Sequence, residues 1–177
     1  MTRSRSEVVV ETILLPDLIG QSAALVPPDS RHRLSLDLDV TLRQVGSVRV
    51  ARTTLQQVFQ NLILNAAEAV RDAGHEHGTL RIEARVLDEP GGERLHMTFA
   101  DSGVGIRNDD LPRIFERGFS TKSAATNSGI GLHWSANAVA ALGGKISATS
   151  PGPLGGAVFH LILPLQPVAD SRLTLAA

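Results

Sequence analysis

A long helical pattern over residues 53–73 constrains this chain most, because an apolar stripe and a row of polar side chains both run along it. The apolar residues recur at helical spacing, so other elements of the fold must cover them. Asn61, Asn65 and Glu68 stand at i, i+4 and i+7 and therefore share one face of the helix. Gly74 ends the pattern. The apolar stripe consists of Leu55, Val58, Phe59, Leu62, Ile63, Ala66, Ala69 and Val70.

The polar row admits two interpretations. Asparagine is a mediocre helix former, because its side chain competes for backbone hydrogen bonds, so the row can mark an exposed face or a buried amide with a partner. Amide oxygens can also hold a hard cation such as Mg²⁺, which uses few protein ligands and keeps phosphate oxygens and water around it. On this second interpretation Asn65 is the metal ligand, and Asn61 helps to orient phosphate or water.

A glycine turn follows a predicted strand at residues 101–105 (DSGVG). Glycines let the backbone pass close to a flat ligand, because they carry no side chain. The Asp101 carboxylate at the strand end can accept a hydrogen bond from an exocyclic amine such as that of adenine. An ordinary strand-to-loop turn shows the same short pattern, so the turn alone does not decide between the two.

A second glycine turn, residues 128–132 (SGIGL), opens a predicted helix. The N–H groups and the dipole at a helix N-terminus attract anions, and glycines permit a phosphate to come close. This is not a Walker loop, because no Gly-Lys-Ser or Gly-Lys-Thr follows, and it does not follow an early strand as a Rossmann fingerprint does. A glycine-rich helix start without a ligand is the alternative.

The segment between the two turns is predicted to close over a ligand. Phe115 and Phe119 are expected to anchor a loop to the core. Ser120, Thr121 and Lys122 can meet a γ-phosphate when such a loop closes as a lid, although a solvated loop is the competing interpretation for the lysine. Each element is common by itself. The polar helix face, the two glycine turns and this segment, in that order, together predict a Mg-nucleotide site.

Composition narrows the classes of function. The formal net charge is −1, with acidic and basic residues mixed along the chain, which argues against a nucleic-acid-binding surface. The absence of cysteine excludes disulfides, thiolate catalysis and cysteine-based zinc sites. No apolar run reaches membrane-spanning length, and no signal-peptide core follows the N-terminus. We expect no nucleic-acid partner, no direct membrane contact by this domain and a cytoplasmic location, with anchoring of a longer parent protein left open.

The remaining patterns predict an α/β fold. Because hairpins rather than regular βαβ units join the strands, we expect a two-layer sandwich whose helices cover one face of a mixed, mostly antiparallel sheet. We expect one domain at residues 8–164, between a flank at 1–7 and a tail or linker at 165–177. Strands are predicted at 8–15, 33–40, 47–50, 80–86, 94–100, 145–149 and 157–163, and helices at 17–26, 53–73, 111–115 and 131–142.

The ordered motifs resemble the ATP-binding catalytic domain of sensor histidine kinases, within the superfamily shared with gyrase, heat-shock chaperone and mismatch-repair ATPases. The similarity covers most of the chain, and the order of its motifs is specific. The asparagine box is matched by residues 61–69, the first glycine box by 101–105, the phenylalanine box by 114–119, the second glycine box by 129–132 and the terminal strand by 155–164.

The resemblance implies a Bergerat-type fold with a left-handed βαβ unit, Mg-ATP bound beneath a mobile lid, and γ-phosphoryl transfer to a histidine. It implies that Asp101 contacts the adenine amine and that Asn65 binds Mg²⁺, with Asn61 and Lys122 as catalytic residues that also bind the nucleotide. The implied partners are the dimerisation and phosphoacceptor domain of the same kinase and a response regulator receiver domain. The other implied nucleotide-binding positions are Glu68, Gly103, Gly105, Ile106, Phe119, Ser120, Thr121, Gly129, Ile130, Gly131 and Leu132.

Three features depart from the family pattern. Asn127 occupies a place where a further glycine is usual, which would stiffen the lid. Val158 replaces a common threonine whose hydroxyl would help to bind water and adenine, so we expect weaker ATP binding. No phosphoacceptor helix precedes residue 8, and His75 with Glu76 lies in a turn after Gly74. We therefore predict that this chain binds Mg-ATP but does not phosphorylate itself.

Three other functions stay open on the sequence. An ATP hydrolase of the gyrase or chaperone type would need a glutamate where Asn61 stands, because an amide cannot act as a general base. A non-catalytic docking module with a degenerate nucleotide pocket would account for Asn127 and Val158. An anti-sigma serine kinase would need a protein substrate that the sequence does not reveal.

Overall fold

The computed structural model describes residues 8–121 and 129–165. None of the helices in these ranges combines the length and the apolar character that crossing a bilayer requires. In chain order the elements are β1 (Glu11–Leu14), α1 (Leu15–Ala24), α2 (Pro28–Arg31), β2 (Leu34–Leu38), α3 (Thr41–Gln44), β3 (Ser47–Val50), α4 (Arg52–Asp72), β4 (Gly78–Glu89), β5 (Gly92–Asp101), α5 (Gly131–Ala141), β6 (Lys145–Thr149) and β7 (Val158–Pro164).

The central sheet is mixed and has the strand order β2-β4-β5-β7-β6. β2 runs parallel to β4, whereas the β4–β5, β5–β7 and β7–β6 pairs are antiparallel. The β4–β5 hairpin is paired from Leu80 opposite Asp101 to Glu89 opposite Gly92. A separate two-stranded sheet pairs β1 with β3. Because β5 is the middle strand, its last residue, Asp101, lies at the centre of one edge of the sheet.

One face of the central sheet carries the hydrophobic core, because alternate residues of each strand point toward it. Ile82 and Phe99 stand opposite each other on this face and are buried, and the Phe99 ring centroid lies 5.4 Å from that of Phe59 in α4. Each large apolar side chain buried here contributes about 1.5–3 kcal/mol. On the opposite face, Arg85 is exposed and Thr98 is half-buried. This packing holds α4 against the sheet and brings its polar row to the strand ends.

The predicted fold class is confirmed, since the structure is an α/β fold with a mixed, mostly antiparallel sheet. The short strand predicted at 47–50 agrees to the residue. β4 and β5 are longer than predicted, because cross-strand pairing continues through solvent-exposed residues to the turn. The prediction omits α2 and α3, because a helix of four residues is too short to show a helical period.

The helix predicted over residues 111–115 is wrong, because the structure has only turns from 108 to 115. The Asp110 carbonyl accepts hydrogen bonds from the N–H groups of both Arg113 (2.8 Å) and Ile114 (3.1 Å), which mixes two turn sizes. Pro112 carries no N–H and cannot extend a helical ladder. The segment therefore folds as consecutive turns, with Ile114 and Phe115 packed against the core.

Candidate functional site

A cavity of about 300 Å³ opens where the C-terminal half of α4, the end of β5 and the N-terminus of α5 meet. It joins parts of the chain that are distant in sequence, which is expected where the ends of several elements converge on one edge of a sheet. Its wall consists of Asn65, Ala69, Asp72, Asp101, Val104, Gly105, Ile106, Arg107, Asp110, Ile114, Phe119, Ser120, Thr121, Gly129, Gly131, Leu132, Ala157 and Phe159.

Asp101 ends β5 inside this cavity, with only 2% of its surface exposed. Its Oδ1 accepts hydrogen bonds from the backbone N–H of Gly103 at 2.8 Å and of Ala157 at 3.3 Å. Its own N–H donates to the Ala157 carbonyl at 2.9 Å, which ties the strand end to the start of β7. Backbone donors of this kind hold the carboxylate in one direction, so Asp101 is an oriented acceptor on the cavity wall.

Two glycines pack so closely around Asp101 that neither place admits a side chain. A Cβ on Gly156 would collide with Asp101 Oδ1 and stand 2.7 Å from the backbone N of Gly103. A Cβ on Gly103 would stand 2.6 Å from the carbonyl carbon of Ala69 in α4. The sequence prediction does not assign Gly156 to the site, although it notes the glycine pair before the terminal strand. Both glycines allow the strand end to meet its neighbours backbone to backbone.

The polar row of α4 is divided between different surroundings. Asn65 lines the cavity. Asn61, one turn earlier, is not part of that wall, because its Nδ2 donates to the Gly131 carbonyl at 3.2 Å and to Ser135 Oγ at 3.1 Å. Glu68 is buried, with 9% of its surface exposed, and also lies outside the wall. Helical spacing alone predicts a shared face, but of these three residues only Asn65 lines the cavity.

The second glycine turn lies at the N-terminus of α5. Gly129, Gly131 and Leu132 line the cavity, whereas Ile130 is 53% exposed and lies outside its wall. Gly129 has a φ of +63°, and a Cβ there would stand 2.7 Å from the backbone of the preceding segment. α5 is eleven residues long, so its first N–H groups carry the partial positive charge of a helix N-terminus. This charge lies beside the cavity and suits an anion.

The segment between the glycine turns supplies the remaining predicted residues. Phe119, Ser120 and Thr121 line the cavity, as do Gly105 and Ile106 from the first turn. Lys122 and Asn127 lie outside the described residues, so their predicted roles stay predictions.

Aromatic and polar contacts hold the base of this segment. Phe115 meets Phe159 edge to face with ring centroids 6.4 Å apart, and its carbonyl lies 3.0 Å from Nδ1 of His133 in α5. The Arg113 guanidinium lies 4.6 Å from the centroid of the Phe119 ring. The anchoring role predicted for both phenylalanines is confirmed, because both pack against the hydrophobic core.

The sequence prediction omits a charged pair on the cavity wall. Asp110 is 6% exposed, and its carboxylate accepts hydrogen bonds from Nε (2.8 Å) and Nη2 (3.2 Å) of Arg107. The bond to Asp110 raises the pKa of Arg107, whose side chain is 80% exposed. The i, i+3 spacing of an arginine and an aspartate is the sequence signal for this pair. The other omitted wall residues are Ala69, Asp72, Val104, Ile114, Ala157 and Phe159.

The expectation that a hydroxyl at position 158 would reach the adenine is wrong. Val158 pairs with Ala100 and Thr149 across the sheet and is not part of the cavity wall. Neighbouring side chains in extended backbone point to opposite faces, and the wall residues are Ala157 and Phe159 instead. A threonine at position 158 would therefore not bring a hydroxyl into the cavity.

The donor groups at the cavity suit a hard cation that arrives with phosphate. Within residues 8–121 and 129–165, no group of three or more His, Asp or Glu side chains could hold a metal ion. Asn65 offers an amide oxygen on the wall. Mg²⁺ commonly takes one or two protein ligands together with waters and substrate phosphates, so this donor set fits it.

A larger cavity, about 420 Å³, lies between α3, β3 and β4. Its wall contains none of the residues that the sequence predicts for the site, so the smaller cavity is the candidate.

Comparison with known proteins shows what this chain is similar to. A family described as histidine kinase-, DNA gyrase B- and HSP90-like ATPase matches residues 50–167. The sensor histidine kinase ZraS of Salmonella typhimurium is 34% identical over 163 residues, which cover 90% of this chain and 32% of ZraS. The chain thus spans about a third of the length of that relative.

Solved structures share the fold. The catalytic domain of histidine kinase ThkA matches with a TM-score of 0.70 and 25% identity, covering 88% of this chain and 95% of that one. Full-length ShkA in complex with AMPPNP matches with a TM-score of 0.72 and 24% identity, covering 92% of this chain and 32% of ShkA. The architecture and the order of elements are therefore those of histidine kinase catalytic domains.

Proposed function

Because the chain belongs to the histidine kinase-, DNA gyrase B- and HSP90-like ATPase family, we propose that it is the ATP-binding catalytic domain of a sensor histidine kinase. It binds Mg-ATP in the cavity and delivers the γ-phosphoryl group to a histidine on a separate dimerisation domain. We propose that this domain spans residues 8–164; Leu165, just beyond that range, donates its N–H to the Glu93 carbonyl at 2.9 Å.

One arrangement carries this proposal: an oriented, buried carboxylate and a helix N-terminus share one cavity. Asp101 offers an acceptor for the exocyclic amine of adenine, and the start of α5 at Gly131 offers N–H groups for phosphate. ATP carries an amine-bearing base at one end and phosphates at the other, so it matches both groups. The AMPPNP bound to ShkA, a protein of the same fold, supports this assignment.

At the base-binding end, Asp101 would hold the adenine ring by accepting a hydrogen bond from its exocyclic amine. Ile106 and Ile114 supply apolar wall around it. A flat base gains free energy by leaving water for such a wall, while the single polar contact sets its orientation.

At the phosphate end, phosphoryl transfer needs positioning and charge stabilisation rather than covalent chemistry by the protein. Gly129, Gly131 and Leu132 would place backbone N–H groups against the phosphates. Asn65 would hold Mg²⁺, which when bound neutralises charge on the phosphate oxygens. Ser120 and Thr121, with Lys122 beyond the described residues, would contact the γ-phosphate as their segment closes.

The accepting histidine is proposed to lie on a partner domain, and the phosphoryl group then passes to a response regulator in the cytoplasm. His75 is exposed in the turn after α4, outside any helix that could present it. Three other histidines already make hydrogen bonds within the fold. The pairs are His96 with Glu89 (3.1 Å), His133 with the Phe115 carbonyl (3.0 Å) and His160 with Thr149 (3.0 Å).

The hydrolase alternative finds little support at Asn61. An amide cannot take a proton from water. The Nδ2 group of Asn61 already donates hydrogen bonds to Gly131 and Ser135 in α5. Phosphate release that is abolished by Asn61→Ala, with ATP binding intact, would favour hydrolysis over transfer.

Titration calorimetry with Mg-ATP tests the proposal. Asp101→Asn should weaken binding about 10- to 100-fold, because an amide cannot accept from both the backbone and the adenine amine as a carboxylate can. Asp37→Asn is the matched control, because it alters a half-exposed carboxylate that pairs with Arg81 at 2.7 Å on the sheet. Equal affinities for wild type and Asp101→Asn would refute the site, and a wild type that binds no ATP would favour a docking module.

A further inference from the structure

The amide of Asn61 joins two helices from a position just beside the cavity. Its Nδ2 donates to the Gly131 carbonyl at 3.2 Å and to Ser135 Oγ at 3.1 Å, so α4 is tied to the first two turns of α5. Ser135 has no exposed surface. Gly131 lines the cavity, and a Cβ on it would lie only 3.8 Å from Asn61 Oδ1. The amide is therefore next to the wall that the phosphates are proposed to meet.

The two partners fix which way the amide points. A backbone carbonyl can only accept a hydrogen bond, so the atom that faces Gly131 must be the NH₂ group of Asn61. The Ser135 hydroxyl accepts the second N–H. Within the described residues, Oδ1 of Asn61 takes no hydrogen bond. The oxygen is thus the atom of this amide that stays available to a ligand.

We propose that Ser135 is a positioning residue that locks Asn61 with its carbonyl oxygen toward the nucleotide, and thereby makes the site prefer metal-bound over metal-free nucleotide. This inference rests on the proposed function, because it concerns the same site. It assigns no direct ligand contact to Ser135, which is fully buried and acts only through Asn61.

The preference follows from the polarity of the exposed atom. Phosphate oxygens are acceptors with negative charge, so an amide oxygen beside them is unfavourable when no metal is present. Mg²⁺ keeps several of its waters, and a metal-bound water can donate to the same oxygen. Asn65, the proposed metal ligand, follows Asn61 by one helical turn on the same face, so a water of the metal is the proposed partner of the Asn61 oxygen. A rotated amide would present NH₂ and favour bare phosphate instead.

Ser135 determines which of the two orientations the Asn61 amide takes, because one hydrogen-bond acceptor does not hold an amide as firmly as two. Without the hydroxyl, Nδ2 keeps only the Gly131 carbonyl, and the side chain can turn about its last bond. The net worth of one such hydrogen bond corresponds to roughly a two- to tenfold change in an equilibrium constant. That is the size of effect expected on the metal preference.

The test uses Ser135→Ala on the full chain, with AMPPNP as the probe. Dissociation constants are measured by calorimetry with excess Mg²⁺ and with EDTA, and their ratio gives the metal preference. We expect this ratio to fall roughly two- to tenfold relative to wild type. Ser22→Ala is the matched control, because Ser22 is also fully buried in a helix, donates to the Leu18 carbonyl at 2.7 Å and is not part of the cavity wall. It should leave the ratio unchanged.

A double-mutant cycle separates positioning from mere packing. If Ser135 acts through Asn61, Ser135→Ala should change the ratio in wild type but add nothing in an Asn61→Ala background. An equal change in both backgrounds, or an unchanged ratio in Ser135→Ala, would overturn this inference and leave the proposed function standing. A wild type that binds AMPPNP neither with nor without Mg²⁺ would remove both.

Discussion

At one end of the cavity Asp101 is held by backbone N–H groups and by glycines that leave no room for a side chain, whereas at the other end Phe119 is held by side-chain contacts. The backbone-built end is buried, with Asp101 only 2% exposed. The side-chain-built end meets Arg113, whose side chain is 57% exposed. The two ends therefore differ in how much adjustment they allow.

This difference separates the part of the cavity that recognises the ligand from the part that adjusts to it. Backbone atoms of a packed sheet edge cannot move without disturbing the core, so the carboxylate end is preformed for its ligand. Side chains can change rotamer at little cost, so the opposite end can adapt when a ligand arrives. Substitutions at the first end should remove recognition, and those at the second should only weaken it.

The largest expected effect is that of Gly156→Ala. The new methyl group collides with Asp101 Oδ1, so the carboxylate must leave its backbone donors. Mg-ATP affinity should fall by more than about 100-fold, because a site that loses its aligned polar group loses most of its discrimination. Calorimetry gives the affinity, and thermal unfolding reports the accompanying overpacking, about 1–3 kcal/mol.

Gly20→Ala is the control for this change. Gly20 lies in α1 with nothing within 4 Å of its built Cβ. Alanine there should leave ATP affinity unchanged and stabilise the helix by about 0.5–1 kcal/mol. If Gly156→Ala bound Mg-ATP as wild type does, the contrast between the two ends would be lost.

An intermediate effect is expected from Phe119→Ala. The ring supplies part of the cavity wall, and its loss should weaken Mg-ATP binding about tenfold, the equivalent of part of a buried aromatic side chain. Arg113→Ala removes only the guanidinium over that ring and should weaken binding about two- to fivefold. A loss of more than a hundredfold in Phe119→Ala would show that the side-chain end is as critical as the Asp101 end.

The smallest expected effect separates two neighbouring residues of the terminal strand. Ala157→Ser adds a hydroxyl on the cavity wall and should tighten Mg-ATP binding by about two- to fivefold through one more hydrogen bond. Val158→Thr adds its hydroxyl on the other side of the strand and should leave affinity unchanged. The reverse result, with tighter binding only in Val158→Thr, would contradict the alternation seen in the structure.

Local patterns were enough to predict the framework. The alternation of apolar residues marks the strands, and the 3.6-residue period marks α4, because both follow from backbone geometry within a short window. The glycine turn after β5 and the glycine turn before α5 can also be recognised from a few neighbouring residues. Asp101 and Asn65 were found this way, and both line the cavity.

Contacts between distant segments were not predictable in the same way. The Asn61–Ser135 bond joins residues 74 positions apart, and its existence depends on how α5 packs on α4. The phase of the terminal strand, which puts Ala157 rather than Val158 at the cavity, depends on its register with β5. A shift of one residue in that register would reverse every side chain, and the pattern within the strand fixes it only weakly, because apolar Val158 and Ile162 alternate with the core residues Phe159, Leu161 and Leu163.

By itself, the sequence determined the strands and the long helices, their order and the residue types that suit a Mg-nucleotide, because these depend on local backbone periodicity and on side-chain chemistry. Only the tertiary structure decided which polar side chains reach the cavity. It placed Asn65 on the wall, tied Asn61 to α5, buried Glu68 and set Gly156 against Asp101. The physical reason is that the direction and the partner of a side chain are set by whatever packs against it, and the closest neighbours here come from elsewhere in the chain.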